Sequence, residues 1–105
     1  MAAYCLFDNV EVHDPTKLEQ YAAAVVPIVE RYNGRYVLVG GTCDVVEGQW
    51  RPTYPVMIEF PSLKHAYDWY NSEEYQELKT LRLAAGKYNA VFMESAANEQ
   101  ERGNS

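Results

Sequence analysis

The chain has 105 residues, a formal net charge of -6 and 48% hydrophobic residues, which describes one folded domain rather than a disordered segment or a pair of domains. No apolar run approaches the roughly 20 residues that a membrane-spanning helix needs, and the acidic balance repels phosphate backbones, so neither a membrane nor a nucleic acid is an expected partner. The first residues lack the features of a signal peptide, which favours a cytoplasmic location.

The first strand and the first helix have clear sequence signals. YCLFDNVEV, residues 4–12, alternates between two sides as a β-strand does. Asp14 followed by Pro15 is an N-cap with a proline in the first helical turn. An apolar stripe with helical spacing then continues until Gly34. We therefore predict a first strand over residues 4–12 and a helix over residues 15–33.

The second half of the chain repeats this pattern with an extra strand. Residues 35–48 and 54–60 are rich in β-forming residues and predict a long hairpin joined through GQWRPT. Pro61 ends the hairpin. The helix that follows is predicted to break in the middle, because Ser72 offers a second N-cap. A last strand is predicted over residues 87–95.

The resulting order β-α-β-β-α-β predicts an α+β fold of the ferredoxin-like type. Such a fold has one four-stranded antiparallel sheet with both helices on one face. The domain is predicted to fill residues 1–95, and residues 96–105 are expected to form a flexible polar tail.

The sheet face away from the helices needs a cover. We expect Cys5 and Phe7 of the first strand and Val91 and Met93 of the last to lie on that face. Together they would expose an apolar patch of several hundred Å², which is large for a monomer. A second copy of the chain is the simplest cover, so the sequence predicts a homodimer.

Motifs for metal, cofactor or nucleophilic chemistry do not occur. Cys5 and Cys43 stand alone, without a CxxC spacing or a histidine cluster, and are expected to be reduced thiols. His13 and His65 are equally isolated, and no GxSxG, P-loop or GxGxxG segment is present. We therefore predict no metal site and no bound cofactor.

Three stretches of the sequence resemble one known family. They are RYVLVGG, the later EGQW, and above all VMIEFPSLKHAYDWYNSEEYQELKTLR. In combination they resemble the domain of unknown function 1330 family, within the dimeric α+β barrel superfamily, over nearly all of residues 4–94. The resemblance implies a homodimer whose two sheets face each other and a cavity between each sheet and its helices. It implies no established activity.

Glu59 stands between two apolar residues in the strand VMIEF and is the first catalytic candidate. Alternation puts Val56, Ile58 and Phe60 on the helix face and turns Glu59 the other way, toward the partner sheet. A partly desolvated carboxyl group inside the barrel could act as a proton shuttle. The alternative is a structural role, in which Glu59 reaches solvent or pairs with an arginine across the dimer.

Arg82 is the second catalytic candidate, because it stands in an apolar helical stripe with Leu78 and Ala85. Its guanidinium could bind a substrate carboxylate through two hydrogen bonds. Alternatively, it pairs with Glu59 or extends along the protein to the surface.

Four further residues are candidates for substrate binding: Arg35, Tyr36, Trp69 and Tyr70. Arg35, at the start of the second strand, is an anion-binding candidate of the same kind as Arg82. The three aromatic residues would supply a wall of the cavity. Alternatively, the three aromatic residues pack in the hydrophobic core, as aromatic residues at these spacings commonly do.

Asn9 is the last candidate, through a comparison with haem-degrading members of the same superfamily. Those proteins use a strand-one asparagine, a tryptophan and a helical histidine that binds the iron. Asn9 and Trp69 fit the first two roles, but the helix after Trp69 offers Lys79 and Arg82 and no histidine. We therefore do not expect haem, whereas a cofactor-free monooxygenase, which needs no iron ligand, stays a weaker alternative.

Two function classes remain open from the sequence. The first is a metal-free enzyme of the isomerase or proton-transfer type, in which Glu59 moves a proton on a small organic acid or cyclic ketone held by Arg82. The second is a non-catalytic ligand-binding or interaction dimer that uses the same residues for structure or to hold a ligand. A buried, unpaired Glu59 beside a closed cavity would favour the enzyme.

Overall fold

The computed structural model describes residues 2–96 and has seven elements of secondary structure. In chain order they are β1 (Ala3–Val12), α1 (Pro15–Arg31), β2 (Arg35–Val39), β3 (Pro55–Phe60), α2 (Leu63–Tyr70), α3 (Glu73–Ala85) and β4 (Gly86–Glu94). The strands form one antiparallel sheet in the order β2-β3-β1-β4. This confirms the ferredoxin-like α+β class. Apart from Ala96, the predicted tail lies outside the described residues.

Local side-chain hydrogen bonds explain where the helices begin. The Asp14 carboxylate accepts a hydrogen bond from the Lys17 backbone N–H at 3.1 Å, at the start of α1. The Ser62 hydroxyl accepts one from the His65 backbone N–H at 3.2 Å, at the start of α2. These bonds satisfy donors that have no partner within the helix. A new helix starts after Ser72, which confirms the predicted break.

The hairpin between β2 and β3 is shorter than the sequence predicts. β2 ends at Val39 instead of continuing to residue 48. Gly40 and Gly41 follow with φ angles of +62° and +96°, a backbone region that glycine adopts without a steric penalty. This change of backbone direction ends the strand, and residues 40–54 form a loop without regular secondary structure.

The core lies between the sheet and the helices, and it includes Cys5 and Phe7. Cys5 is fully buried and Phe7 is 5% exposed. Cys5 pairs with Ile58 of β3, so the two side chains share the helix-covered face of the sheet. The expectation that Cys5 and Phe7 lie on the open face is therefore wrong. Both sides of β1 are apolar, and alternation alone does not tell which side the helices cover.

The open face of the sheet carries the other set of alternating side chains. Leu6 of β1 pairs with Met57 of β3 and with Val91 of β4. Val91 and Met93 are 48% and 42% exposed, as predicted for the sheet face that the helices leave uncovered. Leu38 of β2 extends the same surface.

Among residues 2–96, no helix combines the length and apolar character that a membrane span requires.

Candidate ligand cavity

A cavity of about 840 Å³ lies between α1 and the sheet. Its volume is within the range of small-molecule pockets, roughly 300–1,000 Å³. Most of its wall is aliphatic and comes from β1, α1, β2 and β3, including Val10, Val25, Val26, Val39, Val56 and Ile58. Polar groups reach it from Asn9, Tyr21 and Arg82. An apolar wall with a few converging polar groups is typical of a ligand site.

An irregularity in β1 shapes the cavity. The pairing of β1 with β4 shifts register between Asn9 and Glu11, and such a bulge bends a strand and redirects its side chains. Val10 and Val12, on either side of Glu11, both line the cavity. Leu18 of α1 lines the same cavity.

Arg82 lines the cavity although it is only 4% exposed. Its guanidinium lies near two aromatic rings, 5.2 Å from the centroid of Phe7 and 4.9 Å from that of Tyr88. Its Nε donates a hydrogen bond to the Tyr75 hydroxyl at 3.3 Å. No acidic side chain in residues 2–96 forms an ion pair with it. The two Nη groups of Arg82 therefore remain available to a ligand.

A pair of tyrosine hydroxyls extends this polar group. The hydroxyls of Tyr21 and Tyr75 lie 2.9 Å apart, and Tyr21 also lines the cavity. Burial raises the pKa of both tyrosines above the ordinary value, so both are neutral hydroxyls near pH 7. Burial by itself lowers the pKa of Arg82, but Tyr75 and Tyr21 outweigh this effect and the net direction is upward. The polar cluster of Arg82, Tyr21 and Tyr75 therefore presents two groups to the cavity: the positive charge of Arg82 and the neutral hydroxyl of Tyr21.

Three of the predicted site residues meet at this cavity: Arg82, Asn9 and Tyr36. Tyr36 packs against the core from β2, and burial raises the pKa of its hydroxyl. Asn9 lies in β1, where the register shift begins. The structure thus brings together one charged, one amide and one aromatic candidate from α3, β1 and β2.

Glu59 and Arg35 lie on the opposite face of the sheet. Arg35 Nε donates to Glu59 Oε1 at 2.6 Å, and the Tyr4 hydroxyl donates to Glu59 Oε2 at 3.0 Å. Glu59 does not line the cavity and has no contact with Arg82. Of the sequence interpretations, a pair between Glu59 and Arg82 is wrong. Glu59 does pair with an arginine, but it is one from the neighbouring strand of the same chain.

Trp69 and Tyr70 belong to the aromatic core instead of the cavity wall. Trp69 is fully buried, with its ring centroid 5.6 Å from that of Phe60 and 4.4 Å from that of Tyr75. Its indole Nε1 is buried and has no hydrogen-bond partner in the described part of the chain. Tyr70 packs on Trp69, and the Lys79 ammonium lies over the Tyr70 ring, 4.6 Å from its centroid.

Sequence reasoning missed Asp8, which is 4% exposed. Its carboxylate accepts hydrogen bonds from the backbone N–H groups of Thr53 at 2.9 Å and Tyr54 at 2.8 Å. These bonds fix the end of the loop before β3, so that Tyr54 lies at the cavity. The sequence does contain a signal for this role, because Asp8 directly follows the apolar run YCLF and a carboxylate there needs hydrogen-bond partners.

Metal-binding groups do not converge here. Within residues 2–96, no three His, Cys, Asp or Glu side chains are placed to share an ion. His65 is hydrogen bonded to Ser62, and His13 lies beside Glu11. Neither histidine is part of the cavity wall.

Comparison with known proteins identifies a family and a fold. The sequence model of a family described as domain of unknown function, DUF1330, matches residues 2–96. No curated protein sequence gives a significant match. A solved protein of unknown function from Rhodopseudomonas palustris has a TM-score of 0.73 and 16% identity, over 92% of this chain and 84% of that chain.

Two other solved structures share the fold. A dimeric ferredoxin-like protein of unknown function from Jannaschia sp. CCS1 has a TM-score of 0.71 and 12% identity, over 90% of this chain and 100% of that chain. SnoaB, a cofactor-independent oxygenase from Streptomyces nogalater, has a TM-score of 0.60 and 11% identity, over 93% and 94% of the two chains. At these identities the likeness establishes the fold and leaves the activity open.

Proposed function

We propose that this chain, which belongs to the domain of unknown function 1330 family, binds a small organic acid or cyclic ketone in the cavity between α1 and the sheet. The observation that carries the proposal is Arg82, which is 4% exposed, lines the cavity and has no acidic partner among residues 2–96. A buried cation without a counter-charge is costly. An acidic ligand, or the oxygen of a ketone, would satisfy its free N–H groups.

We favour ligand binding over proton transfer by Glu59. Glu59 accepts hydrogen bonds from Arg35 and Tyr4 on the sheet face opposite the cavity. A catalytic role for Glu59 would need a second ligand site on that face, between two copies of the chain. In the described part of the chain, the carboxylate that does line the cavity is that of Glu19, which is exposed on α1. The non-catalytic binding dimer is therefore the better supported of the two function classes.

A cofactor-free monooxygenase is the second candidate. It draws support from the fold likeness to SnoaB, described as a cofactor-independent oxygenase, and from Asn9 at the cavity. The test is oxygen uptake by the protein with any ligand found for the cavity, in the presence of a metal chelator. Absence of uptake above the rate of the ligand alone would remove this candidate.

We also propose that the protein works as a homodimer whose open sheet faces meet. Leu6, Met57, Val91 and Met93 lie on that face, and burying exposed apolar surface stabilises association. The relative from Jannaschia sp. CCS1 is described as dimeric. Light scattering should give about twice the chain mass of 12.0 kDa. Replacement of Val91 by Lys should shift the population toward the mass of one chain.

A cytoplasmic location is part of the proposal. Cys5 and Cys43 are free thiols, and unpaired cysteines are usual in reducing compartments. Fractionation of cells that produce the tagged protein tests this location, and recovery in an exported fraction would contradict it.

The binding proposal is tested by a thermal-shift screen of small carboxylates and cyclic ketones, followed by calorimetric titration of the hits. Ala22 lines the cavity from α1, whereas Ala24 is exposed on the same helix and does not line it. Ala22→Phe should therefore weaken binding at least tenfold, and Ala24→Phe should change it less than twofold. Equal binding to the two variants would show that the ligand lies elsewhere.

A further inference from the structure

We infer that the ligand is an aliphatic monocarboxylate of medium chain length, with its carboxylate at Arg82 and its hydrocarbon chain along the valine-rich wall. This inference rests on the proposed function and narrows the ligand class to one kind of acid. It combines two features of the cavity. The first is Arg82, the charged member of the polar cluster formed with Tyr21 and Tyr75. The second is the largely aliphatic character of the rest of the wall.

The polar cluster suits one carboxylate. The guanidinium of Arg82 lies close to the rings of Phe7 and Tyr88, and its Nε is already used by the Tyr75 hydroxyl. The two Nη groups are left, and their parallel N–H bonds match the two oxygens of a carboxylate. When Tyr75 donates the hydrogen bond between the two hydroxyls, the neighbouring Tyr21 hydroxyl keeps its own proton and can donate it to the same carboxylate.

The charge of the cavity wall favours a monoanion. Within residues 2–96, Arg82 is the one basic side chain that lines the cavity, and Glu19 adds a carboxylate to the wall. A dicarboxylate or a phosphate monoester would bring a second negative charge without a partner. Such a charge would be both desolvated and repelled.

The remaining wall suits a flexible hydrocarbon chain. Four aromatic residues of the described chain line the cavity: Phe7, Tyr21, Tyr36 and Tyr54. Phe7 and Tyr21 belong to the surroundings of Arg82, and Tyr36 lies near the hydroxyls of Tyr21 and Tyr75. Elsewhere the wall is formed largely by aliphatic side chains, and several of these stay partly exposed: Val10 by 42%, Val12 by 41%, Val26 by 39% and Val39 by 59%. A cluster of exposed apolar side chains around a cavity marks a binding surface. A hydrocarbon chain would cover it.

The test is calorimetric titration of the wild-type protein with butanoate, hexanoate, octanoate and decanoate below their micelle concentrations. Each buried methylene should raise the affinity about fourfold, so octanoate should bind far more tightly than butanoate. Octanol and methyl octanoate are the matched ligands without a carboxylate charge and should bind at least tenfold more weakly than octanoate. An affinity independent of chain length, or equal affinity for octanoate and octanol, would overturn the inference.

Protein variants check the assignment of the carboxylate to Arg82. Arg82→Gln should abolish the preference for octanoate over octanol, and Tyr21→Phe, which keeps the ring, should reduce it. A full preference in a folded Arg82→Gln variant, or in Tyr21→Phe if the first variant does not fold, would overturn the assignment.

Two outcomes separate this inference from the function that it narrows. If cyclic ketones or aromatic acids bind in a way that Ala22→Phe blocks, while the fatty acids do not bind, the inference fails and the proposed function stands. If Ala22→Phe affects no ligand, both fail.

Discussion

Arg35 and Glu59 lie opposite each other on β2 and β3 and form an ion pair, with Arg35 Nε 2.6 Å from Glu59 Oε1. Tyr4 pairs with Glu59 from the other side, on β1, and donates its hydroxyl hydrogen bond at 3.0 Å. Glu59 is thus held by one residue from each neighbouring strand. These two hydrogen bonds explain why the otherwise apolar strand β3 contains a carboxylate, and they require no role for Glu59 in the cavity.

Glu59→Gln should leave ligand affinity unchanged within about twofold, because Glu59 lies on the sheet face opposite the cavity. The stability of the chain should fall by about 1 kcal/mol or less, since the Arg35 side chain is 72% exposed and exposed ion pairs contribute little. Calorimetric titration and urea unfolding measure the two effects. Glu74→Gln, which breaks the exposed pair with Arg31, is the matched control. Lost affinity at unchanged stability would give Glu59 a part in binding.

Tyr75→Phe should destabilise the protein by about 1–3 kcal/mol, because it leaves the buried Arg82 Nε and the Tyr21 hydroxyl without their shared partner. Tyr21→Phe should cost less, since Tyr75 then keeps its bond to Arg82. Urea unfolding of both single variants and of the double variant forms a double-mutant cycle. Purely additive effects would contradict a coupled hydrogen-bond group.

Trp69→Phe should lower stability and leave ligand affinity unchanged, because Trp69 is fully buried among Phe60 and Tyr75 and does not line the cavity. Trp69→Ala should cost about 3–5 kcal/mol, as for other large core aromatics. Trp50, which is 65% exposed, provides the control variant Trp50→Phe, with an expected change within about 0.5 kcal/mol. A Trp69→Phe protein that is as stable as the wild type but has lost its ligand would contradict this assignment.

Stability should fall as the pH rises above 9. Burial raises the pKa of the Cys5 thiol from 9.0 to about 12. A group whose pKa is raised by folding contributes its full stabilisation below its unfolded pKa, and this contribution is lost as the pH rises toward the folded pKa. The loss from Cys5 is at most about 1.4 kcal/mol per pH unit. Tyr21 and Tyr75, whose pKa values burial also raises, should add to it from about pH 10.

Urea unfolding at pH values from 8 to 11 measures this dependence. Cys5→Ala should flatten the decline between pH 9 and 10, whereas Cys43→Ala, outside the core, should not. An unchanged slope in Cys5→Ala would show that other groups cause the alkaline loss.

The element order follows from local signals in the sequence. Asp14 and Ser62 satisfy the first N–H groups of their helices, and these interactions span three residues, so a sequence motif is enough to predict them. The alternation in β3 likewise predicts the direction of Glu59 relative to Ile58 and Phe60, which are both buried. Side-chain direction within one strand depends only on the geometry of that strand.

The partners of these residues depend on how separate elements meet, and only the tertiary structure decides them. Both sides of β1 are apolar, so the sequence does not show which side faces the helices. The pairing of Cys5 with Ile58, which is seen only in the tertiary structure, places Cys5 in the core. Glu59 pairs with Arg35 because β2 and β3 are neighbours in one register. Arg82 reaches the cavity because α3 packs where β1 supplies Phe7 and β4 supplies Tyr88. Sequence periodicity gives each side chain a direction, whereas strand register and helix packing decide what it meets there.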